Sequence, residues 1–194
     1  MLCFLVLIFA SKIDAGFQGA NFMARPPPSA WDKALYFFCR LSPKYEVVWL
    51  LENDVYIPSV EALIGMLRLP SSNDLVVRDH VSKADDPGWL NWESANLLFP
   101  EPRYKSLVCA VGFSKRLVAE FDNYVLKSGK IGFIETFFNS IAARSNFTLL
   151  HPPTLQTLRW KHNWTCDDVK NSSMNWFHPV KDQESFKSEC DFNQ

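Results

Sequence analysis

Apolar positions along this chain switch between a helical and a strand period, and the switching lays out an ordered series of elements. Residues 31–41 place Trp31, Ala34, Leu35, Phe38 and Leu41 at helical spacing, with Ser29 as N-cap and Pro26-Pro27-Pro28 stopping whatever precedes. Val47-Val48-Trp49-Leu50-Leu51 is an unbroken apolar run of strand length, which predicts a strand buried on both faces. It ends at Glu52-Asn53-Asp54. Ser59 then caps a helix over residues 60–69, with Glu61 in its first turn and Pro70 closing it, and Asp74-Leu75-Val76-Val77 reads as a second strand. Residues 78–103 hold three aromatic anchors, Trp89, Trp92 and Phe99, but no period, which predicts a long irregular loop of functional character.

Residues 107–113 predict a third strand, and Ser114 caps a strongly periodic helix through Leu117, Val118, Phe121, Tyr124 and Val125 to a stop at Gly129. A helix over 133–143 carries Ile134, Phe137, Phe138 and Ile141 on one face, and Thr148-Leu149-Leu150 gives a brief strand before Pro152-Pro153. From Trp160 onward the chain is polar, aromatic and turn-rich. Strands alternating with helices predict an α/β domain with a mostly parallel central sheet flanked by helices. Ligands of such sheets gather beyond the carboxyl ends of the strands, where the acidic triplet falls.

Residues 1–10 are apolar and uncharged, a length that suits a signal-peptide core or one buried strand better than a membrane span. The expected organisation is therefore residues 1–15 as signal, anchor or first core strand, 16–182 as one domain, and 183–194 as a polar tail. Lys+Arg 20 against Asp+Glu 21, with no block of like charge, leaves no basic face for a phosphate backbone and argues against nucleic acid. Three Asn-x-Ser/Thr acceptors, at Asn146, Asn163 and Asn171, exceed the one or so expected by chance and favour the secretory pathway. Five cysteines show no CxxC and no Cys/His spacing for zinc; Cys39 and Cys109 read as core, and Cys166 and Cys190 as a disulfide in an oxidising compartment.

Glu52 and Asp54 carry the chemistry. Two carboxylates one residue apart at the end of a buried strand raise each other's pKa unless a cation lies between them, so together they point to a divalent ion. Hard oxygen ligands suit Mn²⁺ or Mg²⁺, which share their remaining positions with water and substrate phosphates. Trp89 and Trp92 offer faces on which a sugar ring stacks, and Asp86 offers a carboxylate to its hydroxyls.

The wording Trp49-Leu50-Leu51-Glu52-Asn53-Asp54-Val55 resembles the acidic-triplet element of GT-A type glycosyltransferases, enzymes with a Rossmann-like fold that use nucleoside-diphosphate sugars. The resemblance implies Asp54 as the main metal ligand, Glu52 as its partner and Asn53 beside the diphosphate. Glu135, in the first turn of the helix opened by Gly132-Phe133-Ile134, falls where such enzymes place an acceptor-activating base or an acceptor-binding acid. Trp176-Phe177-His178-Pro179-Val180-Lys181 resembles the C-terminal segment whose His completes the metal shell, with Lys181 and Arg159 toward phosphate. Such domains place a base-binding βαβ segment before the triplet, and here 51 residues precede Glu52, so the resemblance implies a shortened nucleotide-binding half. The expectation is a lumenal Golgi transferase that moves a sugar to a glycan or glycoprotein hydroxyl. Its rivals are an inactive carbohydrate-binding or scaffold module and a glycoside hydrolase, whose acids must flank a bond rather than share an ion.

Overall fold

A computed structural model describes residues 2–6, 18–19, 45–67, 69–92, 101–128, 130–131 and 133–190. The helix expected over 31–41 lies outside them. At the centre is a mixed five-stranded sheet in the order β1 (Leu2–Val6), β3 (Val47–Leu51), β7 (Ala110–Ser114), β4 (Leu75–Val76) and β9 (Leu149–Leu150). β1 runs parallel to β3, and β9 parallel to β4, whereas β7 is antiparallel to both of its neighbours. The third predicted strand therefore points against the others, a property that an apolar run does not encode. Short ribbons pair β2 (Gln18–Gly19) with β8 (Lys130–Ile131) and β5 (Val81–Ser82) with β6 (Tyr104–Lys105). The predicted loop 78–103 is thus partly regular at its start, where β5 finds its partner just beyond the loop's far end.

All five residues of β3 are buried, because each face of the sheet is covered. Val48 and Leu50 join Leu75, Val111 and Phe113 under helices α2 (Lys115–Ser128) and α3 (Ile134–Arg144). Val47, Trp49 and Leu51 face the other way, onto Ala62 and Met66 of α1 (Val60–Leu67) and onto Trp176. The two faces follow the strand's period of two. Gly112 sits opposite Trp49 in the register, and a Cβ there would meet the Pro70 ring at 2.6 Å. The Ser59 and Ser114 hydroxyls accept from the Ala62 and Leu117 amides at 3.1 and 3.2 Å, so both predicted caps form.

The polar C-terminal region contains two helices, α4 (Cys166–Asn171) and α5 (Gln183–Cys190), joined by a Cys166–Cys190 disulfide. A capping box of Thr165 and Asp168 starts α4, and a small cluster of Val169, Phe177 and Val180, backed by Tyr56, Trp164 and Phe186, holds the unit together. Residues 183–190 are therefore a docked helix rather than a tail. Their apolar contribution is small, which is why periodicity missed them.

Asp74 fastens three elements at the opposite end of β4. It accepts from Ser114 Oγ at 2.8 Å, Arg116 Nε at 3.0 Å, and Thr148 N and Oγ at 2.9 Å. Burial opposes its charge, but the Arg116, Thr148 and Ser114 hydrogen bonds prevail and hold the carboxyl well below its ordinary pKa. A depressed carboxylate stabilises the fold above its unfolded value near ~4, and that stabilisation disappears as pH falls through the native value. Asp74→Ala is expected to lower stability by roughly 2–3 kcal/mol in urea unfolding at pH 7, with the deficit shrinking in strong acid.

Candidate metal centre

The acidic triplet forms a turn closed by the Val55 amide donating to the Glu52 carbonyl at 3.2 Å. The Glu52 amide in turn donates to the Cys109 carbonyl at 2.8 Å, fixing the triplet against the residue that enters β7. What faces it comes from far along the chain. Trp176 is fully buried against Trp49, ring centroids 5.0 Å apart, and its indole N–H donates to the Ala62 carbonyl at 3.2 Å. Phe177 then bridges to Tyr56 in antiparallel fashion, and the Val180 amide donates to the Asp54 carbonyl at 2.8 Å. Anchoring on both sides leaves His178 pointed at the triplet.

His178 Nε2 lies 3.0 Å from Glu52 Oε2 and 3.2 Å from Asp54 Oδ1, with all three side chains largely shielded from water. Nδ1 is 2.7 Å from the Arg159 carbonyl, which can only accept, so Nδ1 carries a proton and Nε2 is the atom presented to the carboxylates. A neutral ring would aim a lone pair at two anions. Burial lowers the ring's pKa, but the Glu52 hydrogen bond, the Arg159 carbonyl and the Asp54 and Glu52 charges outweigh it and raise the value above that of free imidazole. Either a proton or a metal ion satisfies this geometry. Asp54 Oδ2 pairs with the ammonium of Lys181, a side chain 81% exposed, while Asp54 Oδ1 is buried and makes no hydrogen bond of good geometry.

Glu52 and Asp54 each bring one carboxylate oxygen close to His178 Nε2, and hard oxygens with an imidazole nitrogen are donor types that Mn²⁺ or Mg²⁺ accepts. The orphaned Asp54 Oδ1 is the atom a cation would satisfy. An imidazole oriented through Nδ1–H by a backbone carbonyl is also the usual arrangement of a metal-binding histidine.

Glu135 enters from α3. Its carbonyl accepts from the Ser106 amide at 2.9 Å, which ties the helix start to the segment leading into β7. Burial, reinforced by the nearby Glu52 and Asp79 charges and only partly relieved by Lys105, pushes its pKa up to about 7. The carboxyl therefore changes protonation state near neutrality.

Other expected residues divide. Lys181 joins the site, and Asn53 is exposed at the turn, its carbonyl accepting from Gln183 Nε2 at 2.8 Å. Arg159 contributes its backbone, whereas its guanidinium lies over the Trp164 ring at 5.4 Å, because the carbonyl is drawn to His178. Trp92 is buried at 3% exposure, with its indole N–H donating to the Asp86 carbonyl at 2.6 Å, so it packs under the loop and offers no ring face to a ligand. The Asp86 carboxylate is held by Lys105 at 2.5 Å, and that ammonium sits 4.9 Å over the half-exposed Trp89 ring. Trp89 stacks on Phe133 with centroids 6.2 Å apart, close in sequence to Glu135.

Three residues with polar or ring contacts around these elements were not singled out from sequence as site candidates. Cys109, read as core, donates its thiol to Glu52, and burial together with the Glu52, Asp54 and Glu135 charges pushes its pKa far up. Lys105 acts on Glu135, and His80 stacks on Tyr104 at 4.1 Å while its Nδ1 lies 3.0 Å from Asn139 Oδ1. No pattern of spacing marks them, since each becomes informative only once the strands are side by side. No protein-family model and no curated protein sequence matches the chain.

Proposed function

We propose that this chain is a metal-dependent glycosyltransferase of GT-A type that moves a sugar from a nucleoside-diphosphate donor to a hydroxyl of a glycan or glycoprotein. The observation that carries this reading is the convergence of His178 Nε2 on Glu52 and Asp54 across a sequence separation that no local packing need requires. Mn²⁺ or Mg²⁺ held by Glu52, Asp54 and His178 would neutralise charge on the diphosphate leaving group.

The chain's own residues divide the remaining work. Glu135 accepts the proton of the acceptor hydroxyl as that oxygen bonds to the anomeric carbon and the carbon–diphosphate bond breaks; its pKa near 7 suits a base at neutral pH. Lys181 swings its exposed ammonium from Asp54 toward a phosphate oxygen, beside Asn53. Trp89, braced on Phe133 and flanked by Lys105 and Asp86, supplies the ring face for a sugar. The Cys166–Cys190 disulfide and the exposure of Asn146, Asn163 and Asn171 support residence in the secretory pathway, in the Golgi lumen.

A thermal-shift panel of nucleoside diphosphates with and without Mn²⁺ tests the reading. One base is expected to raise the unfolding temperature by about 5 °C or more at saturating ligand, and only with the metal present. If every combination leaves the transition in place, the transferase reading is wrong and an inactive carbohydrate-binding or scaffold module remains. Cleavage of a glycan without nucleotide or metal would point instead to a hydrolase.

A further inference from the structure

Glu52 and His178 have a second partner that differs in kind from Asp54. The Cys109 thiol, a Glu52 carboxylate oxygen and a His178 ring nitrogen all lie within 4.8 Å of one another. We propose that these three residues form a thiolate-containing, tetrahedral binding site for a zinc-class ion, sharing two ligands with the oxygen-rich site but selecting a softer metal. In a tetrahedral shell, ligand atoms lie about 3.5 Å apart, so each side of this triangle closes by about 1.3 Å at most, within reach of χ rotations.

The framework is rigid where it matters. Cys109 is 2% exposed and His178 4%, so neither is a surface group that meets an ion by accident. The Glu52 amide bond to the Cys109 carbonyl locks the two ligand-bearing residues in register, and the Arg159 carbonyl fixes Nε2 as the coordinating atom. Zinc favours sulfur and imidazole with tetrahedral geometry, whereas Mn²⁺ and Mg²⁺ favour oxygens and higher coordination numbers. Thiolate, carboxylate and neutral imidazole sum to two negative charges, which a divalent ion cancels within a shielded pocket. The ion takes the place of the thiol proton, which leaves to solvent, and the fourth position falls to water.

Because Glu52 and His178 serve both sites, occupancy is mutually exclusive. A zinc-class ion expels Mn²⁺, and the protein becomes sensitive to soft-metal supply. The thiolate site stands on its own ligands; only the competition with Mn²⁺ rests on the glycosyltransferase reading.

The test uses the full chain, disulfide intact, stripped of metal with a chelator and titrated with Co²⁺ and then Zn²⁺. Co²⁺ is expected to give tetrahedral d–d bands and a thiolate-to-cobalt charge-transfer band, both erased by stoichiometric Zn²⁺. Cys109→Ser should abolish the charge-transfer band and weaken Zn²⁺ binding at least about 100-fold while keeping a native circular dichroism spectrum. Cys109→Ala repeats the measurement should the serine variant misfold. A charge-transfer band that survives both substitutions belongs to Cys3 or Cys39 and overturns the proposal, as does cobalt that binds without any such band. A thiolate band in a protein that shows no nucleotide binding leaves this site standing and removes the transferase reading alone.

Discussion

Asp54→Asn is expected to abolish Mn²⁺-dependent donor hydrolysis and to weaken metal binding by at least about 100-fold, with the fold preserved. Asparagine has the same shape, and the backbone contact that organises the turn, Val180 N–H to the residue 54 carbonyl at 2.8 Å, does not depend on the carboxylate. What is lost is the second negative charge at the point faced by His178. Without it, Lys181 loses its partner, and the atom at the Oδ1 position, already without a well-made hydrogen bond, becomes a neutral and weaker ligand. The measurement is a calorimetric titration with Mn²⁺ and nucleoside diphosphate, run beside thermal unfolding. Unchanged Mn²⁺ affinity and turnover in a folded Asp54→Asn protein would remove Asp54 from the metal's ligands, and with it the metal site on which the transferase reading rests.

The charged groups at this centre are paired with one another. Two carboxylates, Glu52 and Asp54, meet the His178 imidazole, whose pKa their charges raise, and the Lys181 ammonium. These partners offset the cost of shielding the Asp54 carboxylate from water. A divalent ion held by Glu52, Asp54 and His178 would offset the same carboxylate charge, and Lys181, whose side chain is 81% exposed, would then be able to meet a phosphate oxygen.

Legibility in the sequence followed the hydrophobic signal. β3 was readable to the residue because five consecutive buried positions leave no other interpretation, and α2 and α3 were readable because their apolar faces recur at helical spacing. The direction of β7 was not, since a strand buried on both faces looks the same from either end. The helices α4 and α5 escaped because their hold on the domain is a disulfide and a few bonds such as Gln183 to the Asn53 carbonyl, not an apolar stripe. At the site, Glu52 and Asp54 stood out as charges where packing would prefer none. Cys109 lay inside an apolar run and gave no such contrast. Its position opposite the triplet is a consequence of antiparallel pairing, which places the entrance of β7 beside the exit of β3.

Glu135→Gln is expected to act in opposite directions on rate and stability. If Glu135 is the base, its amide cannot accept the acceptor's proton, and kcat should fall by about 10²–10⁴-fold with little change in donor affinity. The wild-type rate should decline below pH 7 as the carboxyl protonates. Stability runs the other way. Raising the native pKa from its unfolded value near ~4.3 to about 7 means that the native state binds the proton more tightly than the unfolded chain, so stability falls as pH rises between the two values and stays lower above them. Glutamine removes the buried charge, and Lys105 keeps Asp86 as its partner. At pH 8 the variant should therefore be the more stable protein by on the order of 2 kcal/mol, a gap that closes on acidification to about pH 4. Thermal unfolding across this range reads the second effect without any knowledge of the substrate. A variant that gains no stability at pH 8 would show that Glu135 is solvated rather than poised, and a Gln variant that raises KM while sparing kcat would make it an acceptor-binding group instead of the base.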